Sequence, residues 1–495
     1  MSELERDGAA SITQQLVDRF TRAIDDCDLE PGEKLPTTRA LAAEAGVNHL
    51  TAARAYRRLA ELGYVTATVG RGTFVRTLTP LPAGADDEND EWQAYALPDH
   101  ELSYAEQVMD DAFRLPDEPG MISLATGWPS PRLYPTDELA RITADIFAEE
   151  GGAALSYLTA EGLYDLREQL AKLGRERGFA TEPGEIIVTS GARQAIDLVM
   201  RTLLDPGDVA VVESPTFAGL LSSLRAAGAR VIGVPVDANG LDVAGLERVL
   251  ARHEVKVCAL QPACNNPTGR DLSPDRRARL VELARERSFF VVEDHVYADV
   301  RFEGESVRPL REDIPGHSIY INSLSKTVGG GLRIGWLAAR GPVLQRLAAL
   351  KLDSDFHTAS LTQHIAARYL ASGGYTRQLE DTRPFYRERR DALLDALDRH
   401  LAGEYRADTP RGGHHVWVTL TRPVDERALY REAVRYGVSF TPGGIVRADR
   451  ASSTQLRLSF SLGDPAELDE GVRRLSRALR EVRRRDRGAA TIPVS

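Results

Sequence analysis

The sequence predicts an α/β chain built in two unlike parts, a small helical module followed by a large mixed, mostly parallel sheet covered by helices. Three observations carry this reading. At 495 residues the chain exceeds what one hydrophobic core can hold, because single cores stop growing near ~250–300 residues. Its N-terminal stretch alternates amphipathic runs with glycine turns. From Met121 onward, short apolar runs alternate with longer helical patterns, the signature of strands crossed over by helices.

Within the first part, Ile12, Leu16, Phe20 and Ile24 recur at steps of four. The spacing predicts an amphipathic helix from Ser11 to Leu29, capped by Ser11 and ended by Pro31-Gly32. Leu35 to Val47 reads as a second short helix stopped by Gly46, and Asn48 to Leu62 as a third that starts on a good cap residue. Helix, tight glycine turn, helix is a geometry that places a helix in a DNA groove. Tyr64 to Val69 and Thr73 to Val75 are β-branched and aromatic runs around Gly70-Arg71-Gly72, which reads as a hairpin with an arginine at its tip. A whole-chain charge of −11 argues against a polyanion partner, but the region from Lys34 to Arg76 holds seven basic residues against Glu44 and Glu61, a local +5. Phosphate contact needs such a surface, although a solvated helix face would carry the same charge.

Hydrophobic content of 42% and charged content of 27% are those of an ordinary globular protein. No run of ~18 apolar residues occurs, so no membrane span is expected. The start Met1-Ser2-Glu3-Leu4-Glu5-Arg6-Asp7 has neither a basic beginning nor an apolar stretch, so a cytoplasmic protein is expected. Cys27, Cys258 and Cys264 are isolated and odd in number, which argues against a disulfide framework, and none has metal-ligand spacing. Composition divides the chain at 8–77 for the small module, 78–118 for a linker, 119–485 for the large domain and 486–495 for a tail. The linker carries the acidic run Ala85-Asp86-Asp87-Glu88-Asn89-Asp90-Glu91, which favours an extended connector.

In the large domain the apolar runs Ile186–Val188, Val209–Val212, Val231–Val236, Val255–Leu260, Phe289–Val292, Ser318–Ile321 and Gly335–Ala338 are candidate strands. Lys326, in Asn322-Ser323-Leu324-Ser325-Lys326-Thr327, is the most informative residue, because a lysine that can lose its proton attacks carbonyls. Ser190-Gly191-Ala192 joins a strand to a helix, where backbone N–H groups make an anion site, though such joints are common. Phe217 follows a strand and can lie on an aromatic ring or in a core. Asn266 heads Asn-Pro-Thr-Gly, a turn that leaves its amide free to donate. Asp294 ends an apolar strand, where α/β sheets place ligand contacts, and Tyr297 stands three residues on. Taken together in this order, these groups suit the edges of one heteroaromatic cofactor, pyridoxal phosphate.

The N-terminal segment resembles the winged helix-turn-helix of the GntR regulator family. The motif appears as Pro31-Gly32, Leu35-Pro36, Arg39, Leu41-Ala42, Gly46-Val47, Thr51, Ala55-Tyr56, Leu59, Gly63 and Gly70-Arg71-Gly72-Thr73-Phe74. The resemblance implies that Thr37, Arg39, Asn48, His49, Thr51 and Arg71 lie toward DNA. It departs at Val47-Asn48-His49, where the family more often has Ser-Arg. From Met121 to Arg485 the order of motifs resembles fold-type I pyridoxal 5'-phosphate aminotransferases. That implies Lys326 as the Schiff-base lysine, Asp294 at the pyridine nitrogen, and Asn266 and Tyr297 at the ring oxygen. It further implies Phe217 stacked on the ring, and Ser190, Gly191, Ala192, Ser323 and Arg333 around the phosphate. Tyr157 looks like the tyrosine that reaches a phosphate across a dimer interface, and Arg457 like the arginine that grips a carboxylate. Arg193 stands where many relatives carry glutamine.

The fusion resembles the MocR subfamily of GntR regulators. It implies a ligand-responsive transcription regulator that binds promoter DNA, forms a head-to-tail homodimer and senses an amino compound, or pyridoxal phosphate itself, through an aldimine at Lys326. Two other readings stay open. The large domain can be a working transaminase, which the spacing of Asp294 and Tyr297 favours because many MocR proteins have a shorter gap. The chain can also be a structural DNA-bridging protein.

Overall fold

The computed structural model describes residues 11–25, 28–29, 33–62, 64–68, 72–75 and 103–489. The chain divides into two compact units, Met1–Leu102 and Ser103–Ser495. Among the described residues, no helix is long and apolar enough to cross a membrane.

The small unit contains helices α1 (Ile12–Asp25), α2 (Thr38–Glu44) and α3 (His49–Glu61) and an antiparallel pair, β1 (Val65–Thr68) and β2 (Gly72–Val75). Thr37 caps α2 by accepting from the Ala40 amide at 3.2 Å, and Asn48 caps α3 by accepting from Leu50 at 2.9 Å. The apolar pattern predicts a second helix from Leu35. Instead, Leu35 donates its amide to Thr73 O and Val75 donates to Glu33 O, so residues 33–35 form a third row beside β2. Pro36 lacks the N–H a longer helix would use, and Thr37 supplies the cap, so α2 starts at Thr38. Leu16, Val17, Phe20, Leu41, Ala52, Ala55, Tyr56, Leu59, Val65 and Val75 form one core. The steps of four in α1 place its apolar face there.

The large unit opens with a helix, Tyr104–Arg114, inside the segment expected to be linker. Its Ser103 and Glu106 form a reciprocal capping box, and Val108 and Ala112 are buried, so the acidic composition upstream does not extend to it. The expected linker residues 78–102 and the tail residues 490–495 lie outside the described residues. A short strand β3 (Ile122–Ser123) precedes the main sheet strands β4 (Ile186–Thr189), β5 (Val209–Ser214), β6 (Arg230–Asp237), β7 (Gly240–Leu241), β8 (Val255–Leu260), β9 (Phe290–Asp294), β10 (Ser318–Ser323) and β11 (Gly335–Ala338). Their order is β4-β11-β10-β9-β8-β5-β6-β7. The pairs from β10 through β9, β8 and β5 to β6 are parallel, whereas β11 is antiparallel to both β10 and β4. Near-continuous Val, Ile and Leu in these strands follow from helices covering both faces.

A smaller antiparallel sheet closes the unit. It holds β12 (Tyr405–Ala407), β13 (His415–Leu420), β15 (Thr441–Pro442) and β16 (Gln455–Ser459), in the order β12-β13-β16-β15, while β14 (Val438–Ser439) pairs with β3. The long helices Gly374–Leu401 and Pro465–Ala489 pack on it around Tyr386, Leu393, Leu458 and Val472. Leu16 is fully buried in the small unit, so Leu16→Ala should cost it about 2–5 kcal/mol. Thermal unfolding followed by circular dichroism should show an earlier transition for the small unit and an unmoved one for the large unit; coincidence with the unmutated profile would remove Leu16 from the core.

Candidate functional site

Strands β4, β5, β8, β9 and β10 all run the same way and end at Thr189, Ser214, Leu260, Asp294 and Ser323. Parallel sheets expose unpaired backbone groups and loop starts at this carboxyl edge, and there the chemistry collects. Lys326 follows β10 in a single 3₁₀ turn. Its Nζ donates to Gly127 O at 2.9 Å and stands 5.5 Å from the centre of the Tyr297 ring. Burial, reinforced by the cations of Arg457 and Arg333 and opposed by Asp294, pushes the amine down to about 8. At neutral pH about a tenth of such an amine is unprotonated, against well under a thousandth of an ordinary lysine.

Asp294 is buried, and burial raises its carboxyl above the usual range. Its two oxygens accept from Gln261 Nε2 at 2.7 Å and from the Val296 amide at 3.1 Å. Gln261 ties the edge together. Its amide N–H donates to Glu213 at 2.7 Å, and its Oε1 accepts from the Asn266 amide at 2.8 Å. Glu213 also accepts from Asn265 Nδ2 at 2.7 Å, and burial pushes its carboxyl up to about 8. Thus one glutamine at the end of β8 orients both Asp294 and the Asn266 turn.

Arg457, on β16, donates to Asn266 Oδ1 at 2.9 Å, to Thr441 Oγ1 at 2.9 Å and to Ala125 O. Burial lowers its guanidinium to about 10. Tyr297 is buried with its hydroxyl 3.0 Å from His415 Nε2. His414, next on the chain, places Nδ1 3.1 Å from Gly127 O, the carbonyl that also accepts from Lys326. Both imidazoles are driven toward the neutral form by burial, His414 down to about 3.

At the other end of the cleft, Gly191 holds a left-handed φ of 83° before the helix Ala192–Leu203, whose first turn has no side-chain cap. A Cβ there would sit 2.7 Å from Arg333 Nη2. Arg333 donates to Ser190 O at 2.6 Å. The Ser190 amide donates to Gln194 Oε1 at 2.7 Å, and Gln194 Nε2 donates to Asp355 Oδ2 at 2.7 Å, with Lys351 paired to the same carboxylate. Ser323 Oγ lies 2.9 Å from Ile334 O and 2.8 Å from Ser325 Oγ, turned into its own loop. Phe217 precedes the helix Ala218–Ala226, and any Cβ on Gly219 would collide with its ring.

The structure therefore brings Lys326, Asp294, Asn266, Tyr297 and Arg457 together through direct contacts or shared partners, and Ser190, Gly191, Ala192 and Arg333 at the helix start. Tyr157 stands elsewhere, 86% exposed, with its ring edge-on to His357 at 5.5 Å. In the small unit Thr37, Arg39, Asn48 and His49 are exposed and Thr51 is half-buried, while Arg71 lies outside the described residues. Sequence reasoning missed Gln261, Glu213, His414 and His415; the doubled histidine after Gly412-Gly413 was the one visible signal.

These groups fit pyridoxal 5'-phosphate. The set offers an amine for an aldehyde, a carboxylate for a pyridinium, a phenol and an amide for a phenolate, and a helix start with an arginine for a phosphate. Arg457 Nε, His414 Nε2 and His415 Nδ1 are buried polar atoms without a protein partner, as a polar ligand cleft requires.

Residues 120–475 match the family model described as aminotransferase class I and II, and residues 12–75 match that of bacterial regulatory proteins, gntR family. The 2-aminoadipate transaminase of Thermus thermophilus is 36% identical over 375 residues, spanning 75% of this chain and 93% of the relative. The uncharacterized HTH-type transcriptional regulator YisV of Bacillus subtilis is 31% identical over 454 residues, spanning 91% of this chain and 92% of its own. The crystal structure of LysN from Thermus thermophilus, complexed with N-(5'-phosphopyridoxyl)-L-leucine, superposes with a TM-score of 0.70 at 35% identity, covering 77% of this chain and 100% of LysN. The cofactor is pyridoxal 5'-phosphate. An amine attacks an aldehyde only in its neutral form, so if Lys326 takes up the cofactor, uptake by the apoprotein should accelerate as pH rises through about 8 and level off above. Stopped-flow absorbance checks this; a rate indifferent to pH between about 6.5 and 9 would exclude the amine as the titrating group.

Proposed function

The chain belongs to the class I and II aminotransferases and carries a gntR-type helix-turn-helix ahead of that domain, and on that premise we propose a transcription regulator of the MocR type whose large unit senses an amino compound. The observation that carries the reading is the depressed, partly buried Lys326 amine, set among Asp294, Tyr297 and Arg457 in a chain that also holds a DNA-reading module. Pyridoxal phosphate, when bound, supplies an aldehyde open to amines and an electron-withdrawing ring. Lys326 is assigned the covalent tether, and Asp294 the proton on the ring nitrogen. Asn266 and Tyr297 are assigned the ring oxygen, Phe217 the ring face, and Gly191, Ala192, Ser190, Ser323 and Arg333 the phosphate. An incoming amino acid competes with Lys326, and Arg457 holds its carboxylate by its planar fork.

A ligand alters DNA affinity only if it binds two states of the protein differently. Exchange of a lysine tether for a free amine changes the charge and reach of Lys326, which makes the two states physically distinct. The assembly is proposed as a homodimer, because Leu155, Tyr157, Leu352 and Phe356 are large apolar side chains left exposed. Tyr157 reaches the partner's phosphate in that arrangement. DNA contact is assigned to Thr37, Arg39, Asn48, His49 and Thr51, and to Arg71 outside the described residues, in the cytoplasm.

A second reading, a working transaminase, is favoured by the likeness to the 2-aminoadipate transaminase and by the full set of groups around the ring. Multiple-turnover transfer between an amino donor and a keto acid at ~1–10³ s⁻¹ would select it over the regulator. For the regulator, Lys326→Ala should lose the visible colour of the tethered cofactor and the response of DNA binding to amines, while binding DNA in their absence; an amine response that survives the substitution would defeat the sensor assignment. Arg39→Ala should weaken DNA binding roughly tenfold and lower the salt dependence by about one counterion, with cofactor absorbance unchanged. Fluorescence anisotropy over a salt series measures both.

A further inference from the structure

We propose that His415 is a positioning residue: its Nε2–H donates to Tyr297 Oη and so aims the tyrosine's own proton at the ring oxygen of the bound cofactor. This deepens the proposed function and rests on its placement of Tyr297 at that oxygen.

Gly127 O can only accept, so the contact at 3.1 Å requires His414 to carry its proton on Nδ1. The His414 ring is tilted onto that of Tyr386, their centres 4.5 Å apart, with Nε2 bare. His414 is therefore committed, as is Gly127 O, which also accepts from Lys326 at 2.9 Å. His415 has one polar partner, Tyr297 Oη at 3.0 Å, and its Nδ1 has none. Two arrangements remain. If Tyr297 donates to Nε2, the His415 proton sits on Nδ1 as a buried orphan donor, and the phenol has no proton left for a phenolate oxygen. If Nε2–H donates to Tyr297, the phenol accepts once and donates once. The second arrangement satisfies both the tyrosine and an acceptor-only ring oxygen, and a hydroxyl that accepts a hydrogen bond is a stronger donor.

The packing serves this contact. A Cβ on Gly127 would collide with the His415 ring, lying 2.8 Å from Nε2 and 3.0 Å from Tyr297 Oη, so the glycine makes the space in which imidazole and phenol meet. The charged groups facing the pair are Lys326 and Arg457, both cationic, and Asp294, with His414 neutral on the neighbouring position. Burial first, and then the Arg457 cation, keep His415 neutral whether or not Lys326 is tethered.

The test is the pH midpoint of the bound cofactor's visible spectrum in the full-length protein. A weaker donor at the ring oxygen leaves more negative charge there to retain the proton shared with the tether, so the midpoint rises. Tyr297→Phe should raise it, which tests the placement of the tyrosine separately. His415→Phe should raise it by about 0.5–1 unit, one modest hydrogen bond, and should add nothing in the Tyr297→Phe background. His415→Gln, which keeps a donor near Nε2, should bring the midpoint most of the way back to its unmutated value and also serves if the phenylalanine variant fails to fold. An unmoved midpoint in His415→Phe, or an equal shift with and without Tyr297, would overturn the proposal.

Discussion

Removing a lysine amine from water is the constraint on which the large unit depends. An isolated buried ammonium is costly, so the protein either pairs it or lets it lose its proton. Lys326 faces a carbonyl, an aromatic face and two arginines, and its carboxylate neighbour Asp294 is itself held by neutral donors. Its amine thus stays within reach of deprotonation at cellular pH. Full pairing with an acid would have kept the charge and lost the nucleophile.

The same logic governs the polar groups around it. Six strands, β4, β5, β6, β8, β9 and β10, end at one edge, and each ending leaves backbone and side-chain groups that water would otherwise satisfy. Gln261 resolves much of this by addressing Glu213, Asp294 and Asn266 at once, which the adjacency of β8 to both β5 and β9 makes possible. Charge is spread over amides rather than concentrated in ion pairs, so Asp294 is held by neutral donors alone. On the far side, Arg457 is held by three acceptors before any ligand arrives, so its fork is oriented in advance.

Much of this is legible in the sequence, for physical reasons that can be named. Asp294 and Lys326 follow apolar strands directly, and Asn266 opens a turn marked by Pro267 and Gly269, so local signals locate them. The seven strands read from apolar runs all appear in the main sheet. Gln261, Glu213 and His415 are not legible, because their partners lie 48, 33 or 118 residues away and become neighbours only through strand order and sheet closure. The helix Tyr104–Arg114 hides behind an acidic stretch, although its Ser-x-x-Glu start was a local signal. Leu35 shows the reverse failure: an apolar residue next to a helix joins a strand row, since Thr73 offers its carbonyl there.

The Ser190 amide is already committed to Gln194, which leans on Asp355 at the end of the helix Pro342–Asp355. The next residue, Phe356, holds a left-handed φ of 60° and carries its ring outward beside Tyr157. The Ser190 loop is thereby tied to a helix end that the buried Lys351 holds from within and the strained, exposed Phe356 follows at the surface. Two hydrogen bonds connect the residue before that aromatic corner to the backbone of the Ser190 loop. The Ser190 loop and the exposed aromatic corner are therefore joined by one short chain of contacts, although one follows a strand and the other a helix.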